Sequence, residues 1–166
     1  MGILNSMNEV IKISAEYLIY LTILIELIAW WTVKKEDRIK IAILIIIAGA
    51  IAFTLRTIGG ALYYDPRPFV VEHVKPLVPH APDNGFPSDH ALLSGTLTAV
   101  TFFFSKKYGY LLLVLTVIIG VARVLAKVHT PLDIGAGWIF GIIGAVCSYY
   151  IVNLYIKKKL PNYNPK

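Results

Sequence analysis

Charge is scarce in this chain. Of its 166 residues only 16% are charged, while 57% are hydrophobic and the mean hydropathy is +0.66. So little charge cannot clothe a soluble globule, and the balance places the chain among integral membrane proteins. Cysteine is nearly absent. Cys147 alone excludes an intrachain disulfide and leaves the redox compartment unread. No small-residue cleavage site follows the first apolar run, which leads instead into Trp30, Trp31 and Lys34-Lys35. The expectation is a retained helix rather than a removed leader. Internal repeats and low-complexity tracts are also missing. His73, His80 and Asp83 match no strong zinc spacing, so neither a metal nor a cofactor is expected.

Long apolar runs are abundant. Five are visible, at roughly residues 11–33, 39–64, 90–104, 108–127 and 134–156. Backbone groups in hydrocarbon must be satisfied within their own segment, so runs of this length are helical. The third is short and carries Ser94, Thr96 and Thr98, which suits a helix buried among its neighbours. The length allows one membrane-embedded domain over residues 1–166, an all-α bundle of about five transmembrane helices at ~20 residues each. Between the second and third runs lies a loop, residues 65–88, holding six of the nine prolines. Prolines at that density forbid a long helix and stiffen the chain, as suits a cap over a site.

The net charge of +6 does not point to nucleic acid, because the basic residues cluster at the ends of apolar runs. With five spans, ten of the sixteen lie on one side: Lys34, Lys35, Arg38, Lys40, Lys106, Lys107, Lys157, Lys158, Lys159 and Lys166. That side is expected to be cytoplasmic, which puts all four histidines, 73, 80, 90 and 129, on the outer side of the cell membrane.

Three short segments at that outer rim carry phosphate chemistry: Asp65-Pro66-Arg67-Pro68, Pro87-Ser88-Asp89-His90, and Arg123 with His129 and Asp133. Arg67 and Arg123 offer planar forks that match phosphate oxygens, although an interfacial arginine can also simply snorkel. Ser88 stands as N-cap of the third run, where its hydroxyl and free N–H groups can meet an anion or only cap the helix. His90 is either a proton donor to a leaving oxygen or an interfacial residue. Thr130-Pro131 reads as a helix start with Asp133 at its third position. Asp133 can favour the helix dipole, or orient and polarise His129 for attack on phosphorus while Arg123 neutralises the transferring group.

Together these segments resemble the three motifs of the type 2 phosphatidic acid phosphatase superfamily, with a motif-bearing core at roughly residues 56–137. The stretches Pro66-Arg67-Pro68-Phe69-Val70, Leu77-Val78-Pro79-His80-Ala81 and Phe86-Pro87-Ser88-Asp89-His90 resemble the bacitracin-resistance-type undecaprenyl-diphosphate phosphatases within it. The resemblance implies a haloperoxidase-like helical bundle and a metal-independent phosphohistidine route. His129 would be the nucleophile, Asp133 its partner and His90 the general acid, with Arg67, Ser88 and Arg123 binding phosphate. The implied partners are a polyprenyl diphosphate or another phospholipid substrate and the surrounding lipid, with the oligomeric state open.

Three departures stand out. The lysine usual seven residues before the first-motif arginine is Gly60, the second motif has Asp89 for glycine, and the third has Ala122 for serine. Arg56, one helical turn deeper than Gly60, can reach for the substrate or pair with Glu26. Asp89 would repel a diphosphate unless it holds an arginine or faces away, and it also suits the polyprenyl-diphosphate branch. Competing readings are a phosphatidate or phosphatidylglycerophosphate phosphatase, and a small membrane transporter or assembly subunit. A vanadate haloperoxidase would share the anion cradle, but the enzymes of that type are mostly soluble.

Overall fold

The computed structural model describes residues 2–159, so Lys166 lies outside the described residues. Six helices follow in order: α1 (Gly2–Thr32), α2 (Lys35–Leu62), α3 (Pro68–Val71), α4 (Asp89–Phe102), α5 (Lys106–Leu125) and α6 (Pro131–Lys159). No strand forms among the described residues. A single antiparallel bridge joins Pro66 to Asn84 inside the long loop.

Helices α1, α2, α5 and α6 are long and apolar enough to cross a bilayer, and the chain is a multi-pass membrane protein. The expected third run is α4. Its 14 residues give ~21 Å, short of the ~30 Å hydrocarbon layer. It compensates by position, packing most extensively on α6 and α5 and also touching α2 and α1. Most of its side chains are buried, including Ser94, Thr96, Thr98 and Thr101. Its neighbours supply the lipid-facing girdle, with Ile46, Val114 and Leu154 among many exposed apolar side chains.

Lipid tails are as apolar as leucine, so burial gives little drive for helix association and close packing must supply it. Gly137 and Gly141, one turn apart on α6, permit that packing. A Cβ at Gly137 would lie 2.8 Å from the Ser88 carbonyl oxygen, and one at Gly141 2.7 Å from the Thr96 nitrogen. The N-termini of α4 and α6 therefore meet, and the Ser88 N–H donates to the Asp133 carbonyl at 3.1 Å. Polar side chains add bridges lower in the bundle. Thr98 and Thr116 hydroxyls lie 2.8 Å apart across α4 and α5, and Thr101 of α4 donates to Glu26 of α1. Thr101 holds Glu26 through Oε2 and Arg56 is held by Asp89, so the alternative of a Glu26–Arg56 pair is not formed.

The proline-rich loop is fastened to the same end. Phe69 N–H donates to the Lys127 carbonyl and Leu77 N–H to that of Ala126. Val78 is buried with Ala15, Ala122, Ala126 and Val128, a contribution of about 1.5 kcal/mol for its side chain. Alternating helix directions leave the α1–α2 turn, the α4–α5 turn and the C-terminal part of α6 at the opposite end, together with their basic residues.

Candidate active site

Two local motifs place His129. Helix α5 ends in a left-handed turn at Lys127 (φ 64), with Lys127 N–H donating to the Val124 carbonyl and Val128 N–H to that of Arg123. This is a Schellman closure without glycine. Helix α6 then opens with a reciprocal capping box. Thr130 Oγ1 accepts from the Asp133 N–H at 3.2 Å, while Asp133 Oδ2 accepts from the Thr130 N–H at 2.8 Å. His129 is held between the two, buried, with Nδ1 3.2 Å from the same Asp133 Oδ2.

The other ring nitrogen faces cations. Arg67 Nη1 lies 3.4 Å and Arg123 Nη2 3.2 Å from His129 Nε2. A guanidinium only donates, so Nε2 carries the lone pair and the Nδ1–H donates to Asp133. Burial, chiefly, holds the imidazole below the usual histidine range, and Arg123 and Arg67 push the same way against the Asp133 hydrogen bond. His129 is therefore neutral near pH 7, with its lone pair available at Nε2.

Arg67 is fixed by 2.7 Å to Asp83 Oδ1 and 2.8 Å to the Val128 carbonyl. Its neighbouring prolines leave the backbone extended at ψ 142 before α3. Arg123, buried on α5, reaches the Ala15 carbonyl at 3.4 Å and His80 Nε2 at 2.9 Å, while its Nε has no partner among the described residues. Ser88 does occupy the N-cap of α4 but makes no side-chain cap bond, and its buried Oγ is also unpartnered. Two buried donors left over, one of them on the Arg123 cation itself, suit an anion. His90, half-buried at the start of α4, lies within electrostatic range of Arg123 and His129.

Arg56 and Asp89 form a two-pronged pair at the rim, 2.8 Å and 3.1 Å. Asp89 thus does hold an arginine, and the two are hydrogen-bonded to each other rather than to Arg67, Arg123, His129 or Asp133. Gly60 is pressed against the loop: Asn84 donates to its carbonyl, and a Cβ there would lie 3.2 Å from the Phe86 carbonyl. That contact crowds any side chain at the place of the family's lysine.

In the sequence His80 stands in a family-like stretch and makes, with Asp83, only a poor zinc pattern, Asp65 opens the first segment, and Asn84 carries no signal; none of the four has a stated contact at the site. Asp83, held low in pKa mainly by its hydrogen bond from Arg67, and His80 both reach the arginines from the loop. Asp65 Oδ2 accepts from the Thr130 hydroxyl at 2.8 Å. The signals available were the loop's proline density, which marks a rigid cover, and the family-like stretch at residues 77–81, neither of which says which side chains turn inward.

A family model described as the PAP2 superfamily matches residues 38–157. The chain is 35% identical over 147 residues to the bacitracin transport permease protein BcrC of Bacillus licheniformis, covering 88% of this chain and 72% of that protein. It is 28% identical over 137 residues to the undecaprenyl-diphosphatase BcrC of Bacillus subtilis (strain 168), covering 82% and 70%. Among solved structures, Aquifex aeolicus LpxE aligns with a TM-score of 0.66 at 24% identity, over 90% of this chain and 87% of that one. At that identity the likeness is one of fold.

Proposed function

The chain belongs to the PAP2 superfamily, and we propose that it hydrolyses a polyprenyl diphosphate to the monophosphate through a phosphohistidine on the outer face of the membrane. The carrying observation is His129, buried, with one nitrogen held by Asp133 and the other turned to two guanidiniums. The name of the Bacillus subtilis relative supports the diphosphate. The basic residues at the opposite end of the bundle support the outward orientation. The hydroxyls of Thr22, Thr96 and Ser148 bond back to their own helices, which favours hydrolysis at one rim over a polar path for transport.

In this reading Arg67, Arg123 and the Ser88 hydroxyl hold the terminal phosphoryl group against Nε2. The Nε2 lone pair attacks phosphorus, the bond to the bridging oxygen breaks, and His90, in its imidazolium form beside the negative charge of the bound diphosphate, gives that oxygen its proton. Asp133 stabilises the positive charge that grows on the imidazole. Water, giving its proton to His90, then attacks the phosphohistidine, releasing phosphate and restoring Nε2. Arg56, presented by Asp89, meets the phosphate that stays on the lipid. The two guanidiniums neutralise the transferring charge without a divalent ion.

The test is phosphate release by the detergent-purified protein from a polyprenyl diphosphate, phosphatidate and phosphatidylglycerophosphate, with EDTA present. The diphosphate should be preferred, labelled protein should be trapped by acid-free quenching, and His129→Ala should be inert yet fold. Wild-type turnover by His129→Ala, or no release by folded wild-type protein, would overturn the assignment.

A further inference from the structure

Residues 79–83 form a short strap between two anchors. On one side Val78 is buried against α1 and α5. On the other, the Asn84 side chain accepts from the Asp65 and Phe86 N–H groups and donates to the Gly60 and Tyr63 carbonyls. Pro79, Ala81 and Pro82 are exposed; Asp83, itself exposed, reaches Arg67 with one carboxylate oxygen, and His80, half-buried, turns to Arg123. The two prolines restrict the backbone around it, so the imidazole is set in place before any ligand arrives.

His80 Nε2 lies 2.9 Å from Arg123 Nη2, and its ring stands edge-on to His129 with centroids 5.9 Å apart. Because the guanidinium only donates, Nε2 accepts and the ring proton sits on Nδ1. The surroundings keep it neutral. Burial first, then Arg67, Arg123 and His129, push His80 down to about 4, with Asp83 opposing. The contact with His80 is also the shortest that the Arg123 guanidinium makes. The others are His129 at 3.2 Å and the Ala15 carbonyl at 3.4 Å, and Nε has none.

We propose that His80 is a positioning residue: its imidazole acceptor aims the Arg123 guanidinium at the nucleophilic nitrogen of His129, so that the arriving phosphate meets a fork already oriented. The inference rests on the reading of Arg123 as a phosphate ligand. It adds to the three motif segments a residue from the loop, and it gives that loop a part in the reaction beyond covering it. No bond to His80 forms or breaks in this role.

Three substitutions test it in the detergent-purified full-length protein. His80→Ala removes the acceptor, His80→Leu fills the space without one, and His80→Gln restores an oxygen at about the same reach. Alanine and leucine should each lower kcat/KM for the diphosphate by about 10- to 100-fold, the range for a mis-aimed charged donor, with glutamine within about fivefold of wild type. Protection of the protein against thermal unfolding by inorganic phosphate should follow the same order, needing about tenfold more phosphate for alanine. If alanine does not fold, leucine against glutamine decides. Wild-type kinetics and phosphate affinity in alanine or leucine would overturn the proposal, as would glutamine as impaired as leucine with both melting like wild type. If the wild type turns over and His129→Ala is inert, those results sink only the role of His80; a wild type that releases no phosphate sinks the underlying reading with it.

Discussion

Replacing Asp133 separates charge from geometry at His129, the proposed nucleophile. One oxygen, Oδ2, accepts both the Thr130 N–H at 2.8 Å and the His129 Nδ1–H at 3.2 Å, while Oδ1 is buried without a partner. In Asp133→Asn the amide oxygen is the group that can satisfy both donors, so it takes the Oδ2 place and the imidazole keeps its tautomer. What is lost is the negative charge. Two unit charges about 4 Å apart interact by about 4 kcal/mol at an effective dielectric of about 20. If about half the imidazole charge has developed in the transition state, the loss is about 2 kcal/mol, or about 30-fold in kcat/KM. Asp133→Ala removes the acceptor altogether, orphans two donors and frees the ring. Where the wrong tautomer results, such exchanges cost on the order of 10⁴-fold. Alanine should also lose about 1 kcal/mol of stability with the capping box, and asparagine much less. Phosphate release from a polyprenyl diphosphate, read with melting curves, tests both. Equal activity loss in the two variants would refute the pinned amide, and a wild-type rate in either would remove Asp133 from the reaction.

Three further outcomes are expected. Arg56 and Asp89 are 39% and 64% exposed, so Arg56→Ala should cost under about 1 kcal/mol of stability. It should nevertheless lower kcat/KM for a diphosphate by about 30-fold or more, and less for a lipid monophosphate; equal losses would deny it the second phosphate. In a Cys147→Ala background, a cysteine at the exposed Val74 should react with an impermeant thiol reagent in intact cells while one at Lys107 does not, and the reverse would place the site in the cytoplasm. His80 binds its proton less readily folded than unfolded, about 4 against 6.5, so the unfolded chain takes up more protons between those values. Its share of stability is whole above pH 6.5 and is lost as the pH falls towards 4. Melting temperatures at pH 7.5 and 4.5 should therefore differ less in His80→Gln than in wild type, and an undiminished difference would contradict the burial of a neutral imidazole.

The sequence by itself determined the helices, the membrane setting and the local geometry around His129. Those features are local: apolar runs must be helical in lipid, and Thr130-Pro131 with Asp133 three residues on is a helix start whose capping oxygen can also hold His129. The identity of the arginine partners was a tertiary matter. Arg56 could face Gly60, Glu26 or Asp89 by spacing alone, and it meets Asp89, 33 residues away, because α2 and α4 end at the same rim while Glu26 lies beside Thr101. Helix α4 was legible as a short, polar run buried among its neighbours, but which helices enclose its 14 residues is decided by the tertiary packing on α6 and α5. His80 reaches Arg123 across 43 residues of sequence. Its position follows from where Val78 and Asn84 dock, and docking depends on the close approach of packed backbones, which no period of the sequence encodes.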